Sequence, residues 1–160
     1  ALNWSNRKGL DVFLKLAASL DEKYQIVLIG TSDAVDSVLP SNIISIHRTY
    51  DQKELAEIYS AADVFVNPTR EDNYPTVNME AIACGTPVIT FDVGGSAEML
   101  DESCGVAVEK DDFETLKKEV VRICELKPYT SEDCVSHALK FNAEHRFEEY
   151  VKLYEKVVSK

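Results

Sequence analysis

The chain has 160 residues, of which 17 are Lys or Arg and 28 are Asp or Glu, giving a formal charge of −11. That balance opposes general binding to nucleic acid or to an anionic membrane surface, so an anionic ligand must find local positive charge. The length is that of one domain, the 45% hydrophobic and 9% aromatic content is enough for an ordinary core, and no apolar run approaches a membrane span.

Leu10, Phe13, Leu14 and Ala17 follow helical spacing and predict a helix from about Gly9 to Leu20. A strand should precede it, yet only Ala1 and Leu2 remain for one. The expectation is therefore a chain cut from a longer protein, with a second domain upstream. Arg7, Lys8 and Gly9 sit between that strand and the helix, where cations are disfavoured by the helix dipole. They read either as an exposed basic helix start or as residues kept for an anionic ligand.

An apolar strand from Gln25 to Ile29 stops at Gly30, which serves turn geometry or the close approach of a ligand. A second strand, Ile43 to Ile46, runs into His47, which has no carboxylate partner and no second His visible in the sequence. His47 is thus a poor catalytic base. Asp51 and Glu54 have capping-box spacing, and Leu55, Ile58, Tyr59 and Ala62 mark the buried face of the next helix.

The stretch from Asp63 to Leu100 predicts a strand (Val64 to Val66), a polar loop (Asn67 to Pro75), a helix (Val77 to Cys84) and a second strand (Val88 to Phe91). Steady alternation of strand and helix makes the class α/β with a mainly parallel sheet, and such sheets bind ligands outside the carboxyl ends of their strands. Thr76, Val77 and Asn78 would present free amides at the helix N-terminus, a setting that suits phosphate, while Pro75 has no amide to give. Glu80, one turn further in, can accept hydrogen bonds from a ribose diol; Asp72 precedes it by seven intervening residues. The plainer reading makes Glu80 a dipole partner and Asp72 a solvated loop residue.

Gly94 and Gly95 predict a turn, and Glu98 a short helical segment after it. Val106 to Val108 reads as the last strand. Asp111 and Glu114 repeat the capping spacing before a helix with Phe113, Leu116, Val120 and Ile123 inward, which Pro128 ends. Helices from about Thr130 to Phe141 and from Ala143 to Val158 follow. On the last, Phe147, Tyr150, Val151, Tyr154 and Val157 form an apolar stripe expected to pack on the sheet. The four cysteines, at 84, 104, 124 and 134, show neither C-x-x-C pairing nor a nearby His at ligand spacing, and read as packed, reduced thiols.

Asp72, Glu80, Ala81, Cys84, Gly85, Pro87, Val88, Gly94, Gly95 and Glu98 together resemble the donor-binding signature of the family 4 retaining glycosyltransferases. The likeness extends over nearly the whole chain. It implies a Rossmann-like three-layer sandwich forming the C-terminal half of a GT-B architecture, so that residues 1–160 are a single donor-binding domain. The implied partner is a nucleoside-diphosphate sugar, with an acceptor glycan or lipid-linked glycan reached through the other domain. By this resemblance Lys8, with Arg7, binds the diphosphate, helped by the Thr76 and Val77 amides. Glu80 holds the ribose, Gly30, Ile46 and His47 lie near the base, and Asp72 acts at the sugar. The resemblance also implies that the terminal helix crosses to the other domain, leaving its stripe partly exposed.

Departures exist. Leu2 stands where many members have an Arg, and the loop reads Asp-Asn-Tyr-Pro in place of the commoner glycine-rich form, a variation that resembles bacterial polysaccharide transferases. No close pair of carboxylates marks a divalent-cation site, so neither metal nor other cofactor is expected. A cytoplasmic location is expected, with capsule or surface polysaccharide as the pathway. Two other classes remain open. A dinucleotide-dependent oxidoreductase would need G-x-G-x-x-G where ALNWSNRKG has one glycine. A non-catalytic Rossmann-like nucleotide-binding or regulatory module is the second.

Overall fold

Short apolar runs alternating with helical segments fold into two parallel sheets within residues 4–159, the part described by the computed structural model. The strand expected at Ala1 and Leu2 lies outside the described residues. In the first sheet β1 (Ile26–Ile29) and β2 (Ile43–Ile46) pair with Ile26 opposite Ile43, and the short helix α2 (Asp33–Asp36) connects them. The second sheet has the order β3 (Phe65–Asn67), β4 (Val88–Phe91), β5 (Gly105–Val108), with Val88 opposite both Phe65 and Gly105.

Every residue of β4 is buried, which is why this strand reads as an apolar run and not as an alternating pattern. Its side chains still divide by parity. Ile89 and Phe91 enter a core with Val12, Phe13 and Leu16 of α1 (Leu10–Ser19) and Leu116, Val120 and Ile123 of α5 (Phe113–Leu126). Val88 enters a second cluster with Tyr59 of α3 (Gln52–Ala61), Ala81 and Ile82 of α4 (Thr76–Ala83), and Cys134 of α6 (Ser131–Ala138). Helices thus cover both faces of the sheet, giving the three-layer α/β sandwich. The first core also takes in Leu28 and Ile43, so α1 binds the two sheets into one body.

Three local expectations are corrected. Glu98 lies in consecutive turns and begins no helix, because Gly94 and Gly95 press onto the preceding loop: a Cβ on Gly94 would stand 2.0 Å from the Asp72 carbonyl oxygen. The cap of α5 is Asp112, which accepts from the Thr115 amide at 3.0 Å; Asp111 stands in the left-handed region at φ 67 and is turned toward Arg70. The helix expected from Thr130 to Phe141 divides into α6 and a 3-10 turn, Leu139–Phe141.

The last helix, α7 (Ala143–Val158), has the predicted bounds, but its apolar stripe does not pack on the sheet. Phe147 is 67% and Tyr154 66% exposed, and Tyr150, Val151 and Val157 are exposed with them. Both sheet faces are already occupied, one by α1 and α5 and the other by α3, α4 and α6. Among the described residues no helix is long and apolar enough to cross a membrane.

Candidate functional site

At the carboxyl edge of the sheets, residues 6–9 lie against the loop that follows β3. Gly9, at φ 78, makes this approach possible, since a Cβ there would stand 2.5 Å from both Cγ and the carbonyl oxygen of Pro68. The Arg70 amide donates to the Arg7 carbonyl at 2.9 Å. Lys8 then reaches across the seam, its Nζ 3.0 Å from Asp72 Oδ2, with both side chains about a quarter exposed (27% and 24%). The Arg7 side chain is exposed and donates at 3.5 Å to the Glu71 carbonyl.

The start of α4 is open. Pro75 occupies the N-cap without a side-chain cap, and Thr76 and Val77 are exposed at the first turn, where helical geometry gives their amides no acceptor within the helix. Asn78 departs from expectation: its amide donates to the Pro75 carbonyl at 3.0 Å and is not free. Its buried side chain instead accepts from Asn67 Nδ2 at 2.8 Å, which ties the end of β3 to the first turn of α4. Glu80 is exposed one turn along and accepts from the Tyr59 hydroxyl at 3.3 Å. Burial, followed by the charge of Glu80, pushes the Tyr59 pKa up, so Tyr59 remains a donor.

Gly30, Ile46 and His47 meet at the ends of β1 and β2. The Gly30 amide donates to the Ile46 carbonyl at 2.8 Å, with Gly30 at φ 79. His47 does have a carboxylate partner: its Nε2 is 2.7 Å from Asp36 Oδ2, and this contact raises its pKa above the usual histidine value. The pairing joins the last residue of α2 to the residue that follows β2. Among the described residues, no ion pair or hydrogen bond links His47 or Glu80 to the Lys8–Asp72 pair.

Asp101, Cys104 and His137 also converge, although their spacing in sequence gave no sign of it. His137 Nδ1 is 2.7 Å from Asp101 Oδ2 and its Nε2 is 2.9 Å from the Met99 carbonyl. The Lys140 ammonium stands 3.0 Å from the same Asp101 oxygen and 3.2 Å from His137 Nδ1, in the position a cation would take. The group works as a polar latch between α6 and the connection after β4. Asp33, Asp36 and His47 form a second cluster of ligating atoms, on the exposed side of α2.

A parallel sheet with helices on both faces, an open helix start and a basic turn at its carboxyl edge defines a Rossmann-like domain, here the half of a GT-B architecture. The solved structures it resembles agree. Sucrose-phosphate synthase from Thermosynechococcus elongatus superposes with a TM-score of 0.83 at 26% identity, over 97% of this chain and 43% of that one. HepE from Anabaena, solved in complex with UDP-glucose, superposes with a TM-score of 0.75 at 18% identity, over 99% of this chain and 47% of that one.

Residues 1–125 match the family described as glycosyl transferases group 1, and the chain belongs to that family. It is 23% identical over 158 residues to the N,N'-diacetylbacillosaminyl-diphospho-undecaprenol alpha-1,3-N-acetylgalactosaminyltransferase of Campylobacter jejuni, covering 94% of this chain and 42% of that protein. The chain spans less than half the length of the curated relatives it matches.

Proposed function

We propose that this domain binds the donor for a glycosyl transfer, a nucleoside-diphosphate sugar, along the carboxyl edge of its sheets. The observation that carries this reading is the contact of Lys8 with Asp72 beside the open start of α4, which puts a cation, a carboxylate and two free amides on one edge. In transfer, the bond between the anomeric carbon and the phosphate oxygen breaks with its electron pair on the diphosphate. A bond from the acceptor hydroxyl to that carbon forms, and the hydroxyl proton passes to the departing phosphate. Lys8, with Arg7, and the Thr76 and Val77 amides offset the charge that develops on the leaving diphosphate, without a metal. Glu80, oriented by Tyr59, holds the ribose, while Asp72 orients the sugar or faces positive charge at the anomeric carbon. Gly30, Ile46 and His47 border the base.

In this reading the reaction retains anomeric configuration, and the acceptor is a glycan or lipid-linked glycan held by a second domain. The Campylobacter relative is named for a diphospho-undecaprenol-linked substrate, which supports the lipid-linked acceptor, and surface polysaccharide is the pathway this reading carries. The exposed stripe of α7 is the face that meets the second domain. The four free cysteines are consistent with a cytoplasmic location. Titration with UDP-glucose and GDP-mannose, with NAD as the control, tests the reading: saturable binding of a sugar nucleotide and none of NAD is expected. Binding of NAD alone would overturn it.

A further inference from the structure

Arg70 lies beside Lys8 and Asp72 in the same seam, yet its charge is already matched. Its guanidinium makes a two-pronged contact with Asp11, at 2.7 Å to Oδ1 and 2.8 Å to Oδ2. Its Nε donates to Asp111 Oδ1 at 2.6 Å, and a further hydrogen bond goes to the Asn6 carbonyl. Through its amide the same residue holds the Arg7 carbonyl, which the Thr69 hydroxyl also approaches at 3.4 Å. One residue thereby joins the segment before α1, the loop after β3 and the loop after β5. The left-handed backbone of Asp111, uncommon outside glycine, belongs to the same arrangement.

From this geometry we infer that Arg70 is a positioning residue for the donor diphosphate: it touches no part of the donor, and it fixes the turn that aims Lys8. The inference rests on the donor-site reading above. Two carboxylates face one guanidinium, so Arg70 adds no net positive charge for a phosphate to use. What it supplies is shape, because a planar fork satisfies Asp11 with two parallel bonds and still reaches Asp111 and the Asn6 carbonyl. A lysine keeps the charge but cannot span these partners. Loss of the fork lets residues 6–9 move relative to residues 68–72, and Lys8 moves with them.

The test compares Arg70→Lys and Arg70→Gln with the parent chain, alone and combined with Lys8→Ala. Binding of UDP, GDP and ADP is measured by calorimetry, and amide hydrogen exchange at Lys8 and Gly9 by NMR. Both single variants are expected to bind the preferred nucleoside diphosphate about tenfold more weakly, with faster exchange at Lys8 and Gly9 and unchanged exchange in α5. In the Lys8→Ala background the same substitutions should change affinity less than twofold, because the group they aim is gone. A loss of equal size in both backgrounds, or full affinity in Arg70→Lys, overturns the positioning role and leaves the donor-site reading standing. Failure of the parent chain to bind any of the three overturns both.

Discussion

Lys8 and Asp72, 64 positions apart in the chain, close on each other through a 3.0 Å ion pair at the carboxyl edge of the sheet. The cation expected to meet a diphosphate is therefore held by a carboxylate. The incoming anion has to displace Asp72 from Lys8 or share the ammonium with it.

That competition has a sign. Asp72→Asn removes the charge that engages Lys8, and a partly exposed ion pair is worth about 0.5–1 kcal/mol, roughly a two- to fivefold factor in affinity. Calorimetry should show the nucleoside diphosphate binding tighter to this variant by about that factor. Weaker binding would mean that Asp72 assists the nucleotide directly.

Tyr59 aims one oxygen of Glu80, and Tyr59→Phe deletes that donor while keeping the ring in its T-shaped contact with Phe65. A single neutral-to-charged hydrogen bond at 3.3 Å sits at the weak end of its class. The variant should bind ribonucleoside diphosphates about two- to fivefold more weakly and 2'-deoxy analogues with no change. Equal losses for both would place the effect in packing and not at the ribose.

His47 titrates against Asp36, whose hydrogen bond raises the histidine pKa from 6.5. With the folded value raised, the charged pair contributes stability below pH 6.5 and loses it as pH rises through the folded pKa. NMR titration should place the His47 midpoint above 6.5 and return it toward 6.5 in Asp36→Asn. A midpoint unchanged by that substitution would show the pair to be absent in solution.

Gly9→Ala tests the seam itself. The left-handed backbone costs about 1–2 kcal/mol for a residue with a Cβ, and overlap with Pro68 adds about 1–3 kcal/mol. Thermal or denaturant unfolding should show destabilisation within that combined range, together with weaker nucleotide binding as the Lys8 turn is pushed away. Full stability and affinity would mean that residues 6–9 do not lie on Pro68.

Local patterns were enough for most of the fold. The bounds of β2, β4 and α7 agree with the apolar spacing, a short mainly apolar run in each strand and a helical stripe in α7. Lys8, Asp72, Thr76, Val77 and Glu80 were singled out as candidates by their places at strand ends and a helix start together with the family resemblance. The contacts these residues make were not legible. Arg70 drew no reading from the sequence, and its partners Asp11 and Asp111 come from the start of α1 and the loop before α5. Tyr59 reads as core, which it is, while the hydroxyl that reaches Glu80 depends on how α3 lies against α4. For the α7 stripe the spacing suggested packing on the sheet and the family resemblance partial exposure; the stripe is exposed, because amphipathic spacing shows that a face is apolar, not what covers it.

In the proposed donor site Lys8 and Glu80 serve one bound nucleotide, and the direct test is calorimetric titration of the chain with UDP, GDP and ADP, repeated on Lys8→Ala and Glu80→Ala. Saturable binding of one nucleotide is expected, weakened about tenfold or more by each substitution, with both variants as stable as the parent. Binding left unchanged by both substitutions would put the nucleotide elsewhere and contradict the site.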